Sequence, residues 1–224
     1  MDYSETESLH QGLNEVLEIT GGTLDALFNN GAYGLPGAVE DLPTDGLREI
    51  FETNFFGWHE LTRTVLPIMR AQGHGRIIQC SSVLGLVSIP WRAAYNASKF
   101  ALEGLTDTLR IEMRDTEIKV VLIEPGPITT KFRINAIPKF EKWIDWEASP
   151  RAEQYRSILL KRLYHSNGSD PFELPSEAVV KKLVHALESK RPRARYFVTT
   201  PTYVMAILRR LLPTRALDWV LSRA

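Results

Sequence analysis

A chain of 224 residues that is 44% apolar is long enough to bury the core of one domain. Its 27 basic residues balance 27 acidic ones, so there is no net field to recruit nucleic acid. Cys80 is the single cysteine, which rules out an internal disulfide and suits a reducing, cytoplasmic setting; no stretch approaches the ~18 apolar residues of a membrane span.

In chain order, Ser4 to Thr20 reads as a helix, opened by a capping box of Ser4 with Glu7 and carrying Leu9, Leu13, Val16 and Leu17 at helical spacing. Gly21 and Gly22 end it. Leu24 to Asn29 is a short strand. Helix resumes after Pro43 and Thr44, runs through Leu47, Ile50, Phe51, Phe55, Trp58 and Leu61 to Gln72, and stops at Gly73. Gly75 to Cys80 is a buried strand that opens into a loop at Ser81 and Ser82. The next helix, from about Arg92 to Arg114, buries Leu102, Leu105, Leu109 and Met113. A strand from Lys119 to Glu124 then ends in Pro125 and Gly126.

Residues 127–175 read as irregular, with Pro138, Pro150, Pro171 and Pro175 among the aromatics Phe132, Phe140, Trp143, Trp146 and Tyr155. Ser176 caps a helix running to Ser189, and Tyr196 to Thr199 supplies a last strand. Residues 201–224 form a basic amphipathic tail. Three readings of it are open: a membrane-surface contact, packing over the protein, or an oligomer contact. Packing on protein is preferred, because Arg209, Arg210 and Arg215 are few for stable anchoring.

Strands alternating with helices specify an α/β fold with a parallel sheet, whose functional loops gather at the carboxyl ends of the strands. Asn29, Ser82 and Pro125 lie at such ends. His10, His59, His74, His165 and His185 are scattered without ligand spacing, so no metal is expected.

The chemistry concentrates in Tyr95-Asn96-Ala97-Ser98-Lys99. Residues i and i+4 share a helix face, so the Lys99 ammonium can sit beneath the Tyr95 phenol. A phenol with a pKa near 10 is a poor proton donor or acceptor at neutral pH, and an adjacent cation is expected to pull it toward the working range. A serine hydroxyl could then hold a carbonyl or alcohol oxygen while Tyr95 moves the proton. Tyr-x-x-x-Lys alone is a weak signal; the strand ending in two serines just before it strengthens the case.

With these residues the chain resembles the short-chain dehydrogenase/reductase family over residues 1 to about 200. The family serine precedes the tyrosine by thirteen residues, which selects Ser82 over Ser81. Asn29-Asn30-Gly31-Ala32 resembles the family's Asn-Asn-Ala-Gly motif with its last two residues transposed. Asn54 matches the helix asparagine of a proton relay to the lysine. Pro125-Gly126, with Ile128 and Thr130 following, resembles the loop that holds the nicotinamide carboxamide, and Asp2 falls where an aspartate lies near the adenine.

The resemblance implies a Rossmann-like doubly wound sheet and an NAD- or NADP-dependent oxidoreductase acting on a small alcohol or carbonyl compound. Ser82, Tyr95, Lys99 and Asn54 are its implied catalytic residues. Asp2, Asn29, Gly31, Tyr95, Lys99, Pro125, Gly126, Ile128 and Thr130 are its implied cofactor contacts. Residues 127–175 would be the substrate lid, whose aromatics either line an apolar pocket or simply cover the core. A homo-oligomer is also implied.

One family feature is missing. No Thr-Gly-x-x-x-Gly-x-Gly turn precedes the first helix, although backbone amides of that turn hold the cofactor pyrophosphate. The expectation is a chain lacking two βα units and a third strand, roughly 60 residues at about 30 per unit. Two other classes follow: a non-catalytic remnant, or a membrane-surface or partner-binding module using the basic tail.

Overall fold

The computed structural model describes residues 1–165 and 171–223. Four parallel strands, β1 (Ala26–Asn29), β2 (Gly75–Cys80), β3 (Ile118–Glu124) and β4 (Arg195–Phe197), pair in the order β1-β2-β3-β4. The register sets Asn29 beside Gln79, Cys80 beside Ile123 and Glu124 beside Phe197, so the carboxyl ends of all four strands form one edge.

Side chains alternate across the sheet, and each face receives its own helices. Ile77, Ile118 and Val120 pack with Leu13 of α1 (Thr6–Thr20) and with Leu61, Val65 and Met69 of α3 (Gly57–Gln72). Ile78, Val121 and Ile123 face the other way, onto Ala186 of α7 (Glu177–Glu188) and onto Tyr196 and Val198. Helices on both faces of a parallel sheet are the doubly wound arrangement.

The helix expected from Thr44 to Gln72 is continuous in path but not in type. It comprises α2 (Thr44–Phe51), a π-turn over Glu52–Phe56 and then α3, which ends at Gly73 with φ +80°. One α-helix, α4 (Ala93–Glu112), carries Tyr95 and Lys99. Two capping expectations fail. Ser4 bonds Asp2 through its backbone N–H at 2.9 Å and its hydroxyl at 2.7 Å, while the α1 cap residue is Glu5 without a side-chain bond. Ser176 does precede α7, but its hydroxyl accepts no capping N–H.

Residues 127–175 are not irregular. They contain α5 (Phe132–Trp143), α6 (Ala152–Gln154) and π-turns over Tyr155–Leu159 and Lys161–His165; residues 166–170 of the expected lid lie outside the described residues. The prolines suggested loop, yet α5 runs through Pro138. Its Ala136 and Phe140, with Ile144 beyond, repeat every four residues into a buried cluster, and that burial outweighs one lost backbone bond. α5 is tied to α2 through Glu49, which accepts from Lys139, from Lys142 at 2.5 Å and from the Trp143 indole at 2.9 Å.

The tail forms α8 (Thr200–Leu211) and α9 (Thr214–Leu221). The preferred expectation, packing on protein, holds only for one side: Thr202, Ala206 and Leu221 are buried, whereas Tyr203, Val204, Ile207, Leu211 and Trp219 are exposed. No helix among the described residues is long and apolar enough to cross a membrane.

Candidate active site

β2 ends at Cys80, and the chain turns through Ser81 and Ser82 into a short 3-10 turn over Val83–Gly85. Ser82 caps that turn by accepting the Leu84 N–H at 3.1 Å. The cap fixes the Ser82 oxygen, which keeps one O–H to donate, here beside the Tyr95 phenol. The turn is pinned to the end of β3 by a bond from the Val83 N–H to the Pro125 carbonyl at 2.7 Å.

Tyr95 lies in the first turn of α4, 8% exposed, with its phenol against Ser82. Burial pushes its pKa above the usual phenol value, the Cys80 thiol adds to that, and the Ser82 contact opposes it. The expected downward pull by Lys99 therefore does not prevail. Phe132 of α5 stands edge-on to the Tyr95 ring, centroids 5.1 Å apart.

Lys99 is 1% exposed. Its ammonium donates to the Cys80 carbonyl at 2.7 Å, sits 4.2 Å from the Trp58 ring centroid and lies 5.6 Å from that of Tyr95. Burial lowers its pKa to about 8, against the favourable fields of Cys80 and Glu103. Even so lowered, the group remains mostly a cation at neutral pH.

Asn54 is fully buried in the π-turn. Its Nδ2 donates to the Tyr33 carbonyl at 2.9 Å and its Oδ1 accepts the Tyr33 N–H at 3.1 Å, with Ser98 at 3.4 Å. The side chain thus fastens the loop after β1 to the helix, and its hydrogen bonds do not reach Lys99. π-turns of this kind recur at functional sites because they displace backbone groups from the regular ladder.

The other residues implied by the resemblance divide by what their side chains do. Asn29 is turned into the protein, donating to Gln79 at 3.0 Å and Thr62 at 3.2 Å. The Gly31 carbonyl accepts the Trp58 indole at 3.0 Å, and an added Cβ would meet the Tyr3 ring at 2.7 Å. Gly126 abuts the buried Thr199 hydroxyl so closely that no Cβ fits. Ile128 bridges Leu174, and Thr130 accepts the Phe132 N–H at 3.2 Å, opening α5. Asp2 is exposed and spends its carboxylate on Ser4. The structure brings Ser82, Tyr95 and Lys99 together, sets Asn54 behind them, and leaves Asp2 out of their hydrogen bonds.

Four contributors had no sequence signal strong enough to single them out. Trp58 forms the wall beneath Lys99. Tyr33 is the partner of Asn54. Trp91, in the loop before α4, has φ +66° and meets Tyr155 edge-on with centroids 4.9 Å apart. A left-handed tryptophan costs on the order of 1 to 3 kcal/mol, and here packing supplies it. Glu103, one turn beyond Lys99, is the fourth, and its i+4 spacing was the available hint.

A cavity of about 380 Å³ lies between Glu40, Asp41, Leu42 and Pro43 on one side and Trp143, Asp145 and Ser149 on the other. None of Ser82, Tyr95 or Lys99 lines it. Among the described residues no cluster of histidine, cysteine or carboxylate side chains could hold a metal ion.

The short chain dehydrogenase family model matches residues 1–139. The oxidoreductase YbbO of Escherichia coli (strain K12) is 39% identical over 222 residues, 99% of this chain and 76% of that protein. Retinol dehydrogenase 8 of Bos taurus is 33% identical over 221 residues, 97% of this chain and 68% of that protein. Among solved structures, a short chain dehydrogenase/reductase from Burkholderia phymatum in complex with NAD superposes with a TM-score of 0.75 at 27% identity, covering 99% of this chain and 75% of that one.

Proposed function

The chain belongs to the short-chain dehydrogenase family, and we propose that it interconverts an apolar alcohol and the matching ketone or aldehyde with NAD or NADP. One observation carries this reading: a buried phenol, Tyr95, touching Ser82, with the buried ammonium of Lys99 one turn along the same helix.

The donor set fits the ribose and nicotinamide end of a dinucleotide. An ammonium has three N–H donors, and among the described residues the hydrogen bond of Lys99 to Cys80 uses one of them. Two donors remain on a buried cation, which suits a pair of ribose hydroxyls. Lys99 and Tyr95 would hold that end, together with Gly31 after β1 and the Pro125, Gly126, Ile128 and Thr130 loop after β3. Asn29 contributes through its place at the end of β1, since its amide is engaged inside the protein. When bound, the nicotinamide supplies or accepts the hydride.

The remaining steps belong to the protein. Ser82 donates its O–H to the substrate oxygen and orients it. Tyr95 delivers the proton in reduction, and the burial that raises its pKa keeps it protonated at neutral pH. In oxidation Tyr95 takes the proton, where the Ser82 contact acts against burial. Asn54 keeps the π-turn and the Tyr33 loop in place behind the site. Phe132 and the lid cluster around Tyr95 favour an apolar substrate, as does the likeness to a retinol dehydrogenase.

Tyr95→Phe tests the assignment. The variant is expected to lose about 10²- to 10⁴-fold in kcat and to keep its overall fold by circular dichroism; a fully active phenylalanine variant would overturn the mechanism.

A second reading concerns where the enzyme works. At about 100° per residue, the exposed Tyr203, Val204, Ile207 and Leu211 fall in one stripe of α8. Four arginines, Arg209, Arg210, Arg215 and Arg223, stand against one acid, Asp218, in residues 203–223. An apolar stripe with a cationic border suits an anionic membrane surface.

A further inference from the structure

Behind Lys99 lies a group of buried charges that the mechanism above does not use. Glu103 follows Lys99 by one turn of α4 and is 7% exposed. Glu124, the last residue of β3, is fully buried. Arg195 opens β4 opposite Leu122, so it lies diagonal to Glu124 on the same face of the sheet. Its Nη1 donates to Glu103 at 2.5 Å and also to Glu124, while its Nη2 holds both oxygens of Asp107 at 2.8 Å.

The hydrogen-bond donors fall short. Asp107 has a second partner in Arg110 at 2.6 Å, which leaves one guanidinium nitrogen to serve both Glu103 and Glu124. Glu103 Oε1 and Glu124 Oε2 have no donor among the described residues. Two buried carboxylates in contact cannot both stay ionised, and the ordinary resolution is one proton held between them. Glu124 is the member that keeps it: burial raises its pKa first, the neighbouring Glu103 adds to that, and Arg195 opposes. The charge left on Glu103 faces Lys99 and favours its cationic form.

We propose that Glu103 is a positioning residue for this site, holding Lys99 as a cation with the single negative charge of a proton-sharing Glu103 and Glu124 pair clamped by Arg195. Every other element around Lys99 offers a weaker counter-charge. β2 presents the Cys80 thiol, whose pKa burial pushes up, α3 presents the Trp58 ring, and the preceding turn of α4 presents the Tyr95 phenol. Arg195 and Asp107 face the pair from β4 and from the next turn of α4. For its consequence in turnover the inference rests on the dehydrogenase reading; for the charge of Lys99 it does not.

The test is the midpoint of Lys99 titration in the full chain, followed by the ¹³Cε resonance of labelled lysine and assigned with Lys99→Arg. Glu103→Gln is expected to lower the midpoint by about one pH unit, a tenfold change in the proton equilibrium. Glu124→Gln, a mimic of the protonated partner, leaves Glu103 charged and is expected to hold the midpoint or raise it. Loss of a merely structural contact would move both variants the same way, and a drop in both variants, or no drop in Glu103→Gln, overturns the proposal. If Glu103→Gln does not fold, Glu103→Asp draws the same charge one methylene back and should give a smaller drop; an unchanged midpoint there overturns it equally. Where wild-type turnover is measurable, the basic limb of its pH profile should move with the Glu103 variants. A shifted midpoint without turnover on any alcohol would sink the dehydrogenase reading and leave this one standing.

Discussion

Lys99 donates to the Cys80 carbonyl at 2.7 Å and not to the Tyr95 phenol, although the two side chains stand one helical turn apart. Whatever the ammonium does to Tyr95 therefore acts through space, across 5.6 Å to the ring centroid, and not through a direct hydrogen bond. The Cys80 bond is what holds it at that distance.

A buried lysine with a lowered pKa makes stability depend on pH with a definite sign. Between about 8 and its ordinary 10.5, the unfolded chain binds the proton that the folded chain has lost, so the Lys99 contribution makes stability rise with pH through that window. Lys99→Met should remove this rise and raise stability at pH 7 by on the order of 1 to 3 kcal/mol, while abolishing activity. Urea unfolding of both proteins at pH 7 and pH 10 checks it; parallel pH dependence in the two would refute the assignment.

Phe132 covers Tyr95 edge-on, a contact worth roughly 0.5 to 1.5 kcal/mol. Phe132→Ala should raise KM for an apolar alcohol by about 2- to 10-fold with a smaller change in kcat. Steady-state kinetics on a short and a long aliphatic alcohol would separate the two effects, and an unaltered KM for both would place Phe132 outside the substrate path.

Gly126 joins the β3 loop to the start of α8 with no room for a side chain against Thr199, and Thr202 lies 3.0 Å from the Cβ position. Both threonines are fully buried. Gly126→Ala should cost about 1 to 3 kcal/mol by overpacking, read as a lower urea midpoint with an unchanged slope. Wild-type stability in this variant would mean that the loop can retreat from α8.

The exposed stripe of α8 predicts sedimentation with vesicles containing anionic phosphatidylserine, weakened by salt and absent with phosphatidylcholine alone. Ile207→Asp combined with Leu211→Asp should abolish the binding. Equal sedimentation of wild type and double variant would count against a membrane contact, and light scattering would report a second copy on the stripe instead.

Much of this was legible in the residues because it depends on local spacing. Tyr95 and Lys99 share a face by the i+4 rule, and the apolar stretches of β2 and β3 announce buried parallel strands. Ser82 needed the family pattern to be chosen over Ser81, since both sit at the strand end. What stayed hidden depends on distant partners. Pro138 argued for loop, and only the core receiving Phe140 and Ile144 makes that segment a helix. The Glu103, Glu124 and Arg195 group spans 92 residues between its ends, and no sequence window brings those residues together. The direction of the Tyr95 shift was hidden for a similar reason, because its burial depends on α5, a helix that was not foreseen.

The pair formed by Asn54 and the Tyr33 peptide has a consequence for which side chains that position tolerates. Its amide gives one hydrogen bond and takes one, as a neighbouring strand would, so it adds a single rung of sheet-like pairing to the wall of a helix. Aspartate matches its shape but has no N–H to offer when ionised, and leucine offers neither partner. Only a side chain that is donor and acceptor in one plane can keep that rung whole.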